Sequence, residues 1–264
     1  MDILEELCAA RRADAEERAK ALPYSALLAR AEAAPPAMDF AAAFRGDGIH
    51  VISELKKASP SEGLIRADFR PEELAAELAA SGAAALSVLC EPHRFLGDEA
   101  YLRQARARVG IPVLYKDFVT TDYQVAAARC AGADAVLLIA AVLDDARLRA
   151  LRDRAHALGM QALVETHDAD EIARAVDLGC TVIGVNCRNL RNFSTDVTLL
   201  ESLVGKIPRP CLRIAESGMH TSEAVRRAQS AGADGFLVGT ALMRAAHPGK
   251  TLEELTTTRK GKRQ

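Results

Sequence analysis

Apolar residues in this chain come in short runs rich in β-branched side chains, separated by longer stretches with helical spacing. The runs are HVISEL (50–55), ALSVL (85–89), PVLYK (112–116), AVLLI (135–139), QALVE (161–165), VIGVN (182–186), CLRIAE (211–216) and GFLVG (235–239). Their ends recur roughly every 26 residues, and a period of that size signals a repeated structural unit. Runs that stay apolar instead of alternating fit strands buried on both faces of a parallel sheet. The intervening stretches EELAAELAASG (72–82), TDYQVAAARCAGAD (121–134), ARLRALRDRAHALG (146–159), DADEIARAVDLG (168–179) and TSEAVRRAQSAGAD (221–234) predict helices. Most are closed by a glycine just before the next strand, and Thr221 is placed as a capping residue.

Eight strands alternating with helices predict an α/β fold, a single (β/α)8 TIM barrel, with an open doubly wound sheet as the alternative. The open sheet is disfavoured because no G-x-G-x-x-G follows the first strand. Residues 1–47 read as an N-terminal helical extension packed on the barrel, broken at Pro23 and turned at AAPPA (33–37). Residues 48–255 form the barrel, and the polar, basic tail 256–264 is expected to be disordered.

In such a barrel the chemistry sits where the strands end. Strand one ends Glu54-Leu55-Lys56, with Glu54 and Lys56 on one side by alternation. Strand three ends Lys116-Asp117-Phe118, strand five in Glu165, strand six Asn186-Cys187-Arg188, strand seven Glu216-Ser217-Gly218 and strand eight Gly239-Thr240. Buried charge is too costly to scatter unpaired, so one mouth containing cations and carboxylates together is the simplest account. Such a mixture drives pKa values apart and yields both an acid and a base. Glu-Ser-Gly after strand seven and Gly-Thr opening a last short helix after strand eight stand where barrels of this type bind phosphate through backbone N–H groups. Lys56–Gly63, a polar loop punctuated by Pro60 and Gly63, predicts a lid or substrate cradle.

Composition narrows the class. The 264 residues are 49% hydrophobic and 27% charged, as in a globular protein able to build a core without staples. A net charge of −2, with 4% aromatics and no Trp, argues against a nucleic-acid-coating surface, so any anion site must be local. No run of about 18 uncharged apolar residues occurs, and the charged N-terminus lacks a signal-peptide core, so a cytoplasmic location without membrane contact is expected. The six cysteines form no C-x-x-C pair and read as buried thiols, with no metal site expected.

The segments E-L-K-K-A-S-P-S-E-G (54–63), C-E-P-H-R-F-L-G-D (90–98), L-Y-K-D-F (114–118), L-V-E-T-H (163–167), G-V-N-C-R-N-L (184–190), A-E-S-G (215–218) and V-G-T-A-L-M (238–243), in this order, resemble the indole-3-glycerol-phosphate synthase family. That resemblance implies conversion of 1-(2-carboxyphenylamino)-1-deoxyribulose 5-phosphate to indole-3-glycerol phosphate, with loss of CO2 and water, in tryptophan biosynthesis. It implies no metal and no organic cofactor. Carried onto this sequence, the catalytic positions are Glu54, Lys56, Lys116, Glu165 and Asn186. Substrate contacts fall on Ser59, Phe118, Arg188 and Ser217, with Phe95, Leu138 and Leu190 as apolar wall and Gly218, Gly239 and Thr240 as the phosphate site. The partner is therefore a small phosphorylated, anthranilate-derived substrate, and the working expectation is a monomer.

Four positions depart from the family: Glu62 for the frequent Lys, Cys90 for Thr, Cys187 for a second Asn and Thr240 for Glu or Ser. Cys187 is expected to face away from the mouth, Thr240 to keep its backbone N–H, and Glu62 to weaken the hold on an anion. Ring closure needs an acid for the ketone oxygen, and burial of Lys116 beside Lys56 is expected to lower its pKa toward neutral. A rival barrel such as phosphoribosylanthranilate isomerase would use a Cys/Asp pair at opposite strand ends, whereas Cys211 begins strand seven. The other alternative, a non-catalytic paralogue acting as a binding subunit, is opposed by the intact charge set.

Overall fold

Eight parallel strands hydrogen-bond in sequence order and close on themselves in a computed structural model that describes residues 3–188 and 197–257. They are β1 (His50–Leu55), β2 (Ala85–Leu89), β3 (Val113–Lys116), β4 (Ala135–Ile139), β5 (Gln161–Thr166), β6 (Val182–Asn186), β7 (Leu212–Glu216) and β8 (Gly235–Val238). β1 pairs with both β2 and β8, which seals the barrel. Every apolar run became a strand; β3 starts one residue later than the run because Pro112 offers no N–H to the ladder.

Around the strands lie α3 (Pro71–Ala80), α4 (Glu99–Arg106), α5 (Asp122–Ala131), α6 (Asp145–Ala157), α7 (Ala169–Asp177), α8 (Val197–Val204), α9 (Ser222–Ser230), α10 (Thr240–Arg244) and α11 (Pro248–Thr256). Thr121 and Gln124 form a reciprocal capping box on α5, and the Thr221 hydroxyl accepts the Ala224 N–H on α9. Gly132 and Gly232 close these helices at φ 93° and 105°, a region closed to most side chains. Helices α4, α8 and α11 escape the sequence reading.

Alternation along the strands divides the core in two. Ile52, Ala85, Leu114, Ala135, Leu137, Ile139, Leu163, Val182, Ile214 and Leu237 fill the barrel interior. Val51, Val88, Tyr115, Val136, Leu138, Val164, Ile183, Val185, Phe236 and Val238 face the helices. Phe40 and Phe44, with ring centroids 5.2 Å apart, plug the end of the barrel where the strands begin. The segment carrying them is pinned there by the Met38 N–H on Asp134 and the Ala41 N–H on the Gln161 side chain.

The first 47 residues reach the other end too. Helix α1 (Ile3–Ala21) lies beside the β3 end, and α2 (Tyr24–Glu32) packs on α5. Arg11 grips Asp117 with Nε to Oδ1 at 2.9 Å and Nη2 to Oδ2 at 2.6 Å, both side chains buried. Asp117 also accepts the Phe118 N–H at 2.8 Å, so this buried pair fixes the backbone between Lys116 and Phe118. The expected tail falls outside the described residues beyond Thr257, while Thr256 still belongs to α11.

Candidate active site

The strand ends converge on a cleft that is open to solvent on one side. Its lining includes Glu54, Lys56, Ser59, Phe95, Lys116, Phe118, Glu165, Asn186, Arg188, Ser217, Gly218, Gly239 and Thr240. Of the other two anticipated residues, one is placed elsewhere and one is not described. Leu190 lies outside the described residues. Leu138 is fully buried against the helices, not in the cleft; its neighbours Leu137 and Ile139 supply that wall instead. Strand β4 is apolar at all five positions, so no polar residue marks which phase faces inward. Register decides it: Ile139 sits beside Glu165, and neighbours in a parallel pair point to the same face.

Lys116 stands at the centre. Its ammonium donates to Glu165 Oε2 at 2.9 Å and to Glu216 Oε2 at 2.8 Å. Burial opposes its charge, but Glu165, Glu216 and Glu54 outweigh that and raise its pKa. The expected fall toward neutral is therefore overturned: three carboxylates surround the group, and Lys56 is itself occupied, with Nζ 2.7 Å from Glu54 Oε2. Burial raises Glu216 to about 7, with the negative charge of Glu165 adding to the effect and Lys116 opposing it. Burial pushes Glu165 the same way, but Lys116 and His167 hold it below the ordinary carboxylate range.

The sequence marks Glu216 as a charged strand end but gives it no role, yet it is 1% exposed and shares the central ammonium. The signal for it was Gly184 in the middle of VIGVN. A Cβ there would overlap Glu216 Oε1 and come within 3.2 Å of its Cδ, so the missing side chain makes room for the carboxylate. Gly239 serves a similar purpose: a Cβ would overlap Glu54 Oε2 and approach Lys56 Nζ to 3.1 Å. Glycine here leaves room for the Glu54–Lys56 pair.

The turn after β7 takes Ser217 and Gly218 into left-handed backbone at φ 65° and 73°. For Ser217 that strain costs on the order of 1 kcal/mol. Its hydroxyl donates to Asn186 Oδ1 at 2.7 Å, and the Arg188 N–H reaches the same oxygen at 3.0 Å. Arg188 Nη1 donates to Ser61 Oγ at 2.8 Å, tying the loop after β1 to β6 across the cleft. His220, unflagged by the sequence, also lines this side. Burial lowers its pKa, and Arg188 and Lys56 lower it further, the mark of a locally positive corner.

The opposite side is aromatic. Phe95 and Phe118 have ring centroids 6.0 Å apart, tilted by 43°. Phe95 is carried by a loop that the buried Glu91 carboxylate gathers, accepting the N–H groups of His93, Arg94 and Phe95 at 2.7, 2.8 and 2.8 Å. Three of the departures from the family are now placed. Cys187 is buried, its Sγ 3.5 Å from the Glu216 carbonyl, and Cys90 is buried with Sγ toward the Val88 carbonyl. Glu62 pairs with Arg244 at the end of α10, so its charge is matched across to that helix. Cys211 is half-buried at the start of β7, remote from the strand ends that build the cleft.

Residues 4–255 match the family model described as indole-3-glycerol phosphate synthase. The chain is 45% identical over 261 residues to the indole-3-glycerol phosphate synthase of Albidiferax ferrireducens, covering 97% of this chain and 99% of that protein. It is 45% identical over 255 residues to indole-3-glycerol phosphate synthase 1 of Streptomyces coelicolor (97% and 95%) and 48% identical over 239 residues to synthase 2 of that organism (90% and 93%). Among solved structures, thiamine phosphate pyrophosphorylase from Pyrococcus furiosus superposes with a TM-score of 0.59 at 16% identity, covering 78% of this chain and 93% of that one. That likeness speaks for the barrel alone.

Proposed function

The chain belongs to the indole-3-glycerol phosphate synthase family, and from that premise we propose how its barrel mouth divides the work of making the indole ring. The reaction joins the ring carbon bearing the carboxylate of 1-(2-carboxyphenylamino)-1-deoxyribulose 5-phosphate to the C2 ketone, then expels CO2 and water. It is a carbon–carbon lyase step of tryptophan biosynthesis.

As the new bond forms, negative charge builds on the ketone oxygen and needs a proton. Lys116 is the general acid in our reading, an ammonium held in place by Glu165 and Glu216. Loss of CO2 restores the ring's conjugation and returns the electron pair to carbon without a base. The C2 hydroxyl then leaves as water, which needs a proton delivered to it and another removed from the substrate. Glu165, Glu54 and Lys56 are the groups for that exchange, and Asn186 orients Ser217 and Arg188 around the substrate.

The substrate's charges match the cleft. Arg188 takes the carboxylate, Phe95 and Phe118 with Leu137 and Ile139 enclose the aromatic ring, and Ser59 contributes from the loop after β1. The phosphate goes to the backbone N–H groups of Gly218, Gly239 and Thr240, beside the positive corner around His220. The same reading takes residues 1–47 as an extension serving a barrel of residues 48–255, and the chain as a cytoplasmic monomer that binds no nucleic acid. Its balanced charge of −2 favours the last point. Among the described residues no helix is long and apolar enough to cross a membrane.

The observation that carries the assignment is Lys116 bridging two buried carboxylates opposite an aromatic wall. Incubation with the carboxyphenylamino-deoxyribulose phosphate, following indole fluorescence and released CO2 together, tests it. Equal amounts of both products are expected. Release of CO2 without indole would rule out ring closure at this site.

A further inference from the structure

His167 follows β5 directly and is held between two carboxylates. Its Nε2 lies 3.4 Å from Glu165 Oε1 and its Nδ1 3.2 Å from Glu171 Oε2. Glu171 also accepts the His167 backbone N–H at 2.7 Å, so the first turn of α7 clamps this residue by two groups. The ring is 18% exposed and approaches Glu165, which lines the cleft. The contact with Glu165 is a close ion-pair approach, longer than an aligned hydrogen bond.

The consequence is an asymmetry between the two carboxylates that share Lys116. Glu165 has a basic group at each oxygen: the ammonium at Oε2 and the imidazole at Oε1. Glu216 has the ammonium at Oε2 only, and its buried Oε1 has no partner among the described residues. A pair of carboxylates on one cation does not sort into donor and acceptor unless something distinguishes them.

We infer that His167 is a positioning residue that distinguishes the two, keeping Glu165 ionised as the base and leaving Glu216 as the carboxyl that carries a proton. This rests on the reading of the site given above and adds a role to it. Glu171 is the anchor that makes the device work, because it aims the imidazole and supplies the counter-charge that keeps it protonated. Burial opposes a charge on His167, but Glu165 and Glu171 together raise it to about 10. The titrating and charged groups in play around the ring are Glu165 from β5 and Glu171 from α7, with Lys116 from β3 and Glu216 from β7 beyond Glu165.

The sign of the effect follows. A cation beside Glu165 favours its ionised form, so removing that cation raises its pKa. The acidic limb of the kcat profile, where activity is lost as Glu165 takes a proton, must then move to higher pH. Kinetics of His167→Phe, His167→Gln and Glu171→Gln from about pH 3 to pH 9 test this, the low end being needed because Glu165 is held below the ordinary carboxylate range. His167→Phe keeps the bulk, and we expect its acidic limb to rise by about one pH unit or more, with KM within about twofold of wild type. His167→Gln restores an N–H donor without charge and should remain shifted. Glu171→Gln should shift the same way by a smaller amount. An unmoved limb with kcat lowered evenly at every pH would make His167 merely structural and overturn the inference, as would a change confined to KM.

Nitrogen NMR of the histidine rings gives a readout independent of turnover, with the His167 signal identified by its loss in His167→Phe. A doubly protonated ring through about pH 8 is expected, with its pKa falling in Glu165→Gln. A ring neutral at pH 8 would overturn the inference. Failure of the underlying reading would appear differently, as a wild-type protein that forms no indole product whatever its imidazole does.

Discussion

At the scale of single residues, the cleft is defined as much by missing side chains as by charged ones. Gly239 leaves the volume that the Glu54 carboxylate occupies, so Gly239→Ala should displace Glu54 and break its 2.7 Å contact with Lys56. We expect kcat to fall by about 10²-fold or more, as when an acid–base group is lost, while the fold survives in circular dichroism. A variant whose only defect is a raised KM would show that Gly239 serves phosphate alone. Arg188 gives a second residue-scale test. It approaches the cleft over Ser61, and Arg188→Ala should weaken binding of the carboxylated substrate far more than that of its decarboxylated analogue. Calorimetry with both ligands decides this, and equal losses would place the carboxylate elsewhere. Arg188→Lys should rescue little, because a single ammonium does not reproduce a planar fork.

At the scale of elements, each strand places its last inward residue in the cleft and a loop completes the contact. The loop after β2 shows how. Glu91 is fully buried and spends its carboxylate on three successive N–H groups, which turns the chain so that Phe95 faces Phe118. The tightness of that turn forces Leu96 to φ 51° and leaves Gly97 no room for a side chain, its Cβ position being 2.7 Å from the Leu89 carbonyl carbon. Glu91→Ala strips the acceptor from all three donors. It should therefore raise KM by about tenfold, the equivalent of roughly 1.4 kcal/mol of lost aromatic contact, with kcat changed less. If KM stays put, the aromatic wall is held by other means.

The strands show what a sequence of this kind reveals. Charges at 54, 116, 165 and 216 marked strand ends, because a buried strand admits ionisable groups only where they have partners, and pairing between strands supplied those partners. Leu138 was misplaced because an all-apolar strand carries no phase of its own. His167 stood in view within LVETH, but its bond to Glu171 is made across the start of α7, and its nearness to Glu165 depends on a local bend that residue type does not encode. The pKa of Lys116 was misjudged for the same reason: one neighbouring cation could be seen along strand one, while two of its carboxylates come from strands five and seven.

At the scale of the whole molecule, the described residues before β1 touch both ends of the barrel. Phe40 and Phe44 close the end where the strands start, and Arg11 braces the opposite end at Asp117. Arg11→Ala would leave Asp117 buried without its cation and should destabilise the protein by about 3–5 kcal/mol, read as a lower midpoint in urea. The double variant Arg11→Ala with Asp117→Asn should recover part of that loss, since no uncompensated charge remains. A cost under about 1 kcal/mol for Arg11→Ala would mean that the pair behaves like an exposed one. Because Asp117 separates Lys116 from Phe118, the brace also joins the extension to the centre of the cleft. The most direct test of that centre is the turnover of Lys116→Met, followed by indole fluorescence against the wild type. A folded variant with kcat lower by about 10²–10⁴-fold is the outcome the account predicts; turnover near that of the wild type would contradict it.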